Sequence, residues 1–383
     1  MPGGTEQSIS AVWLGSPASL PLLVDPPVAA PQKKMSGPAR YHRDQGRQVL
    51  ERHPELRDLF GPRPLTALAV PLLLTLHWGM AWFVSAGGIV GVFIAAFFFG
   101  QLALHSAGGL LHETAHQLVF RRRIPKLAFD LSLELILASF GKQLRYQNEH
   151  ISSHHPYQGE YAWDYEYEDV CAIMARRELR WHHPEWQRLL TLATMALHIL
   201  PFGFLLADKI VPLLYARLTG RKVKDENRDI GATRPARLDV AMCIAVSVLA
   251  NAVLFFGFGF WAWLYHNWAL SLFLSKWGIS NLGQSLSEHP DGNEKKPTRS
   301  TYGWINYLLF NTGYHHEHHV FPNIAWMHLP RVKAAAPDVF NAPCERSYAG
   351  LWWDHVSADF SPSRWNAELR ARRLPRCEGK AAN

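Results

Sequence analysis

Thiol pairs are missing from this 383-residue chain. Its four cysteines, Cys171, Cys243, Cys344 and Cys377, are far apart and never form a CxxC pair. A disulfide scaffold and a cysteine-bound zinc knuckle are thereby excluded, and reduced thiols facing a cytosol are expected. Charge is also sparse, at 19% of residues against 48% hydrophobic, which excludes a disordered or nucleic-acid-coating polymer. There is no Gly-rich phosphate loop, heptad array or internal repeat. The formal net charge is +7. Basic flanks beside membrane helices account for it, so no nucleic-acid partner is invoked. What the chain has in place of these features is long apolar runs and clumped histidines.

The apolar runs set the organisation. Residues 1–39 are Pro-rich and read as a disordered tail, without the basic start of a secretory signal. Residues 40–64 have helical spacing (Val49, Leu50, Leu56, Phe60) and many basic residues, predicting a cytosolic surface helix. Leu65–Ser85 and Gly88–Leu111 each approach the ~20 residues that cross a bilayer, so 65–111 reads as a transmembrane hairpin. Its ends carry Arg57, Arg63 and Arg121–Arg123 while its turn is uncharged, which puts both ends in the cytosol. A second hairpin is predicted over 238–283, with the aromatic stretch Trp261–Trp268 as its interfacial apex. The intervening 112–237 is then cytosolic or interfacial, and 284–383 is a cytosolic C-terminal region. Leu189–Leu214 holds Pro201, Asp208, Lys209 and Pro212 and is read as re-entrant. The fold class expected is all-α: an integral membrane protein whose two helical hairpins carry a cytosolic helical cap.

Three histidine clusters stand out: His112 and His116 in HETAH, His150, His154 and His155 in HISSHH, and His315, His316, His318 and His319 in HHEHH. Four histidines in five positions far exceeds the average of 20 in 383. Residues at i and i+4 share a helix face, so His112 pairs with His116. His315, His318 and His319 share another face, with His316 off to the side. His155 falls about 140° from His150 on an ideal helix. A helix end at Pro156 is therefore expected to turn it inward.

On ideal helices His112 lies roughly 36 Å beyond Gly88, and His289 lies roughly 33 Å beyond Asn267. Both distances just exceed the ~30 Å hydrocarbon core, so His289 is expected to join the clusters at one level. The candidate metal ligands are His112, His116, His150, His154, His155, His289, His315, His318 and His319. So many imidazoles imply two metals with open positions. A ligand set without thiolate suits iron, copper, nickel or zinc, and a pair of open irons suits dioxygen activation. Glu113, Glu149, Glu288 and Glu317 are candidates to hold the second ring nitrogens. His105, His198 and His266 lie in apolar runs and read as packed rather than ligating. The acidic stretch Asp164, Glu166, Glu168 and Asp169 reads as a solvated face.

FNTGYHHEHHVFPNI (Phe310–Ile324), with GQSLSEH (Gly283–His289) and HETAH, resembles the membrane fatty-acyl desaturase superfamily, and within it the sphingolipid Δ4-desaturase (dihydroceramide desaturase) family. The resemblance extends from about Arg40 to Pro362. The second box departs from it, reading HxxxHH where that family shows HxxHH. The resemblance implies two irons held by the boxes, dioxygen as oxidant, and electrons from NAD(P)H through cytochrome b5. It also implies an endoplasmic-reticulum location and a trans Δ4 double bond introduced into a dihydroceramide chain. No heme segment is present, so the donor would be a separate protein. Alternatives with the same metal chemistry are a lipid C4-hydroxylase, another acyl desaturase and a carotenoid ketolase or hydroxylase. A histidine-rich metal transporter would instead need its ligands inside the spans.

Overall fold

The computed structural model describes residues 35–159, 234–274, 278–289, 297–341 and 343–359, with Asp164 and single positions between 197 and 217. Residues 1–34 of the Pro-rich tail, His198, the rest of the acidic stretch and all of 189–214 except 197, 199–203, 206 and 210 lie outside the described residues. Residues 35–39, read as the end of a disordered tail, instead lead into the first helix because Ser36 caps it. Those described form helices with isolated bridges and no strand.

Helix α1 (Gly37–Arg52) starts where the Ser36 hydroxyl accepts a hydrogen bond from Ala39 N, satisfying an amide the helix itself cannot. His42, Gly46 and Val49 face inward. The helix stops at His53, ahead of Pro54, because the residue before a proline is pushed out of the helical region. Helix α2 (Ala69–Phe83) leads into a tight turn at Val84–Ala86, and α3 (Gly88–Ala95) and α4 (Gln101–Ala115) return along it. Among the described residues, three helical stretches are long and apolar enough to cross a membrane: Pro64–Ala86, Gly88–Ala115 and Arg237–Phe258. Their outer faces expose Leu72, Phe83, Ile94, Phe98, Val248 and Phe256. Apolar faces that size require a nonaqueous neighbour. Their inner faces meet in one core with Val70, Leu104, Leu110, Leu254 and Leu270.

Between the two pairs, α5 (Arg123–Leu137) is amphipathic and lies across α4. Its Asp130 accepts from Thr114 Oγ1 at 2.9 Å and Lys126 Nζ at 2.8 Å. Glu134, fully buried, accepts from Ser139, Gly141 N, Gln143 and Ser247. These two carboxylates tie α5 to its neighbours, which is how a helix interrupted by buried charge is tolerated. Helix α6 (Lys142–Glu149) and the short α7 (His155–Tyr157) follow.

The second hairpin turns at a different place from the one the aromatic residues predict. Helix α8 (Arg237–Ala252) continues through a wide turn to Phe258. The chain reverses at Gly259, whose φ of +98° is glycine territory. Helix α9 (Phe260–Leu274) then runs back, and Asn251 Oδ1 receives hydrogen bonds from both Trp263 Nε1 and Asn267 Nδ2. The tryptophan-rich stretch is thus inside the returning helix, with Tyr265, His266, Asn267 and Trp268 buried. Turn geometry decided the position, not interfacial preference. His289 is accordingly not carried by one straight helix from Asn267. It ends a separate helix, α10 (Ile279–Glu288).

The C-terminal part has its own core. Val320, Phe321, Ile324, Leu329, Val332 and Phe340, from α11 (His315–Val320), α12 (Leu329–Ala335) and the chain around them, pack on Val49, Leu56 and Leu59. The last described helix, α13 (Tyr348–Asp359), lies against α10. An N-glycosylation acceptor on a flexible insert beside Gly87 or beside Gly259 is expected to be modified, and one beside His53 or Glu345 is not. Modification of all four, or of only one turn, would break the two-hairpin arrangement.

Candidate metal centre

Each histidine box is aimed by local backbone geometry. The last turn of α4 carries His112, and His116 caps its end, one turn on. The second box departs from the expected helix end. Between α6 and α7 the chain makes a π turn over His150–His154, in which His155 N–H reaches back five residues to His150 O. The wider turn rotates His155 onto the face of His150, and their Nε2 atoms lie 3.1 Å apart. His154, whose ring stacks on that of His150 at 5.3 Å, falls in a different group. Such π insertions concentrate at functional sites because they re-aim side chains without ending the helix.

Helix α11 straddles the resulting two groups. His318 joins His112, His116, His150 and His155; His315 and His319 join His154 and His289. Within each group the potential ligand nitrogens lie within 4.8 Å of one another. All nine histidines named from spacing are in these two groups, which are the only such clusters among the described residues. Neighbours in sequence (His154 with His155, His318 with His319) serve opposite groups, so the groups adjoin. The His155 and His319 rings stack at 4.4 Å between centroids.

The donor set fits metal ions. Nitrogens about 2.1 Å from one ion sit about 3.0 Å apart when cis in an octahedron, and about 3.4 Å apart in a tetrahedron. The Nε2–Nε2 separations are 2.9 Å for His289–His315 and 3.0 Å for His315–His319. They are 3.2 Å for both His154–His319 and His155–His318. The two shorter separations match the octahedral edge, and the two of 3.2 Å fall midway between the geometries. His116 Nε2 is buried with no hydrogen-bond partner, an orphan that an ion would satisfy. Burial, reinforced by neighbouring imidazoles, holds His116, His155, His318 and His319 well below the ordinary histidine pKa of 6.5. The rings are therefore neutral at pH 7, with lone pairs available for coordination.

The supporting carboxylates are not the four expected from adjacency. Glu288 does lie 3.4 Å from His315 Nδ1 and also receives Gln284 Nε2. Glu113 instead accepts from Trp326 N, tying HETAH to the loop after α11. Glu149 pairs with Arg145 one turn back along α6. Glu317 accepts from the hydroxyls of Ser300 and Tyr302, and burial raises its pKa. The acidic stretch read as a solvated face supplies a partner: Asp164, 2% exposed, lies 3.0 Å from His154 Nδ1 and accepts from Gly159 N. The Gln158 amide lies 2.9 Å from His289 Nδ1. An imidazole that donates its Nδ1–H to a carboxylate keeps its proton there and leaves the Nε2 lone pair as the atom available to a metal.

The family model for fatty acid desaturases matches residues 84–349, which include all nine rings. The chain belongs to the fatty acid desaturase family. Among the relatives of this chain is a sphingolipid delta(4)-desaturase of Schizosaccharomyces pombe, 25% identical over 85% of this chain and 84% of its own length. A DES1-like sphingolipid delta(4)-desaturase of Oryza sativa is 25% identical over 78% of this chain and 81% of its own. A Bos taurus relative named sphingolipid delta(4)-desaturase/C4-monooxygenase is 25% identical over 83% of this chain and 88% of its own. No solved structure matches.

Other described histidines, among them His105, His266 and His316, belong to neither group. His105 Nε2 meets Gln284 Oε1, and its ring lies on Phe273. His266 Nδ1 meets His77 Nε2 at 3.0 Å. The histidine that α11 keeps outside both groups, His316, meets Gln45 of α1. Sequence reasoning missed Asp164 and Gln158 because neither lies in a periodic segment, and their only signal was proximity to the end of the second box.

Proposed function

We propose that this desaturase is a di-iron, dioxygen-dependent sphingolipid Δ4-desaturase acting on a dihydroceramide chain. The observation that carries the reading is the pair of adjoining, buried to half-buried, all-imidazole groups of five and four rings. When bound, two irons supply the reduction of dioxygen and the oxidising power to remove hydrogen from two adjacent methylenes. The balance is one alkane bond, dioxygen, two electrons and two protons giving one alkene and two waters. The protein's residues hold, orient and shelter. Asp164 and Glu288 would set the tautomers of His154 and His315, and burial of the rings would keep water from the oxidant. Because unactivated C–H bonds resemble one another, bond choice rests on how the chain is positioned.

The electrons are proposed to come from NAD(P)H through a separate cytochrome b5. The centre is proposed to face the cytosol of the endoplasmic reticulum, on the side of Arg57, Arg63 and Arg121–Arg123. A C4-hydroxylase is the second reading, favoured by the relative whose name includes C4-monooxygenase. The two outcomes share removal of the first hydrogen and part afterwards.

Sphingolipid analysis of a desaturase-deficient yeast host expressing the chain tests the assignment. A trans Δ4 sphingoid base is expected. A 4-hydroxylated base alone would move the assignment to the hydroxylase, and an altered acyl or carotenoid pool with unchanged sphingoid bases would remove the substrate class.

A further inference from the structure

Helix α1 precedes the residues matched by the family model, yet it touches two of the three histidine boxes. At its start Ser36 N donates to Pro156 O, just past the second box. Along its inner face His42 is buried, with Nε2 2.8 Å from Thr298 Oγ1 and its ring 5.1 Å from that of His319. One turn on, Gln45 Nε2 donates to Tyr41 OH at 2.8 Å, which presents the amide oxygen to His316 Nε2 at 2.9 Å. The proton shared with Gln45 therefore sits on His316 Nε2, and that nitrogen is a grip rather than a metal donor. Beside it, a Cβ on Gly46 would lie 3.1 Å from Val320 O, so a larger residue there would push α1 and α11 apart by a few tenths of an ångström.

Helix α11 needs such a neighbour. It has six residues, far below the ~12–15 at which an isolated helix becomes even marginally stable. Yet it must deliver His315 and His319 to one group and His318 to the other. Glu317 anchors one side through Ser300 and Tyr302. We propose that α1 is the opposing clamp. Gln45 and His42 are positioning residues that hold α11 through His316 and beside His319, and so retain metal in both groups. The retention part rests on the di-iron reading above; the clamp itself does not.

The test compares Gln45→Ala, Gln45→Glu, His316→Ala and the Gln45→Ala/His316→Ala double variant of the full chain in detergent. Hydrogen exchange of the α11 amides is measured on metal-free protein, and the rate of iron loss to a chelator on loaded protein. Gln45→Ala and His316→Ala are each expected to speed exchange about tenfold, the size expected for one lost hydrogen bond. The double variant should be no faster than either, and Gln45→Glu, which keeps an acceptor, should restore the slow rate. Iron loss should follow the same order. Unchanged α11 exchange in Gln45→Ala, or additive effects in the double variant, would overturn the clamp. Altered exchange with wild-type rates of iron loss would overturn retention. If wild-type protein takes up no iron while exchange still responds, the clamp stands and the di-iron reading falls.

Discussion

Replacing His318 or His319 with alanine is expected to reduce product formation to background while the protein still accumulates in the membrane. The two substitutions strike different groups. His318 Nε2 lies 3.2 Å from His155 Nε2 in the five-imidazole group. His319 Nε2 lies 3.0 Å from His315 Nε2 and 3.2 Å from His154 Nε2 in the four-imidazole group. Each should therefore lower iron from about two ions per chain toward one, with the lost ion differing between the variants. His315→Ala should behave like His319→Ala. Folding should tolerate the changes because α11 is also held by Val320 and the adjoining Phe321 in the apolar core shared with Val49 and Leu56. Metal analysis and lipid analysis of the same preparations check both halves. Activity retained in all three variants would remove this site from the chemistry, and a single zinc in the wild-type protein would remove the oxidant.

The metal-free protein is expected to lose stability steeply as pH falls below about 6.5. His42, His116, His155, His318 and His319 all have folded-state pKa values pushed well below 6.5, by burial first and by neighbouring imidazoles second. An unfolded chain takes up protons near 6.5, whereas the folded chain refuses them until the pH is far lower. The neutral rings therefore cost nothing above 6.5, and stability falls with pH throughout the window beneath it. Each group contributes about 1.4 kcal/mol per pH unit in that window. Five acting together make an upper limit of about 7 kcal/mol per unit, comparable to the whole stability of a typical domain. Chemical denaturation of metal-free protein at pH 7.5, 6.5 and 5.5 checks this. Equal midpoints at the three values would mean that the rings are protonated, or open to water, in the folded state.

The spacing of HETAH, HISSHH and HHEHH identified eight of the nine rings because helical periodicity converts sequence distance directly into a shared face. His289 came from the height estimate, although the helix it ends is not the straight one that estimate assumed. That logic fails where the helix is irregular. His155 joined its group through a π turn that no ideal 3.6-residue pattern contains. It also fails where two signals compete: Trp261–Trp268 has the composition of an interfacial turn, but the reversal needs a positive φ, and Gly259 supplies it. Adjacency proved a poor guide to the supporting carboxylates. Glu113, Glu149 and Glu317 lie beside ligands in sequence yet point to Trp326, Arg145 and the Ser300–Tyr302 pair. Asp164, ten residues beyond His154 in sequence, meets that ring.

The amino-acid order alone determined that this is a helical chain with membrane-length apolar stretches, and it picked out eight of the nine candidate histidines, since run length and periodicity are local properties. How nine rings divide into five and four was settled by the tertiary fold. So were the turn that lets α9 pack against α8, the carboxylate that meets each imidazole, and the grip of α1 on α11. Each of these depends on contacts between residues tens to hundreds of positions apart, whose formation depends on packing and backbone dihedrals that no local pattern encodes.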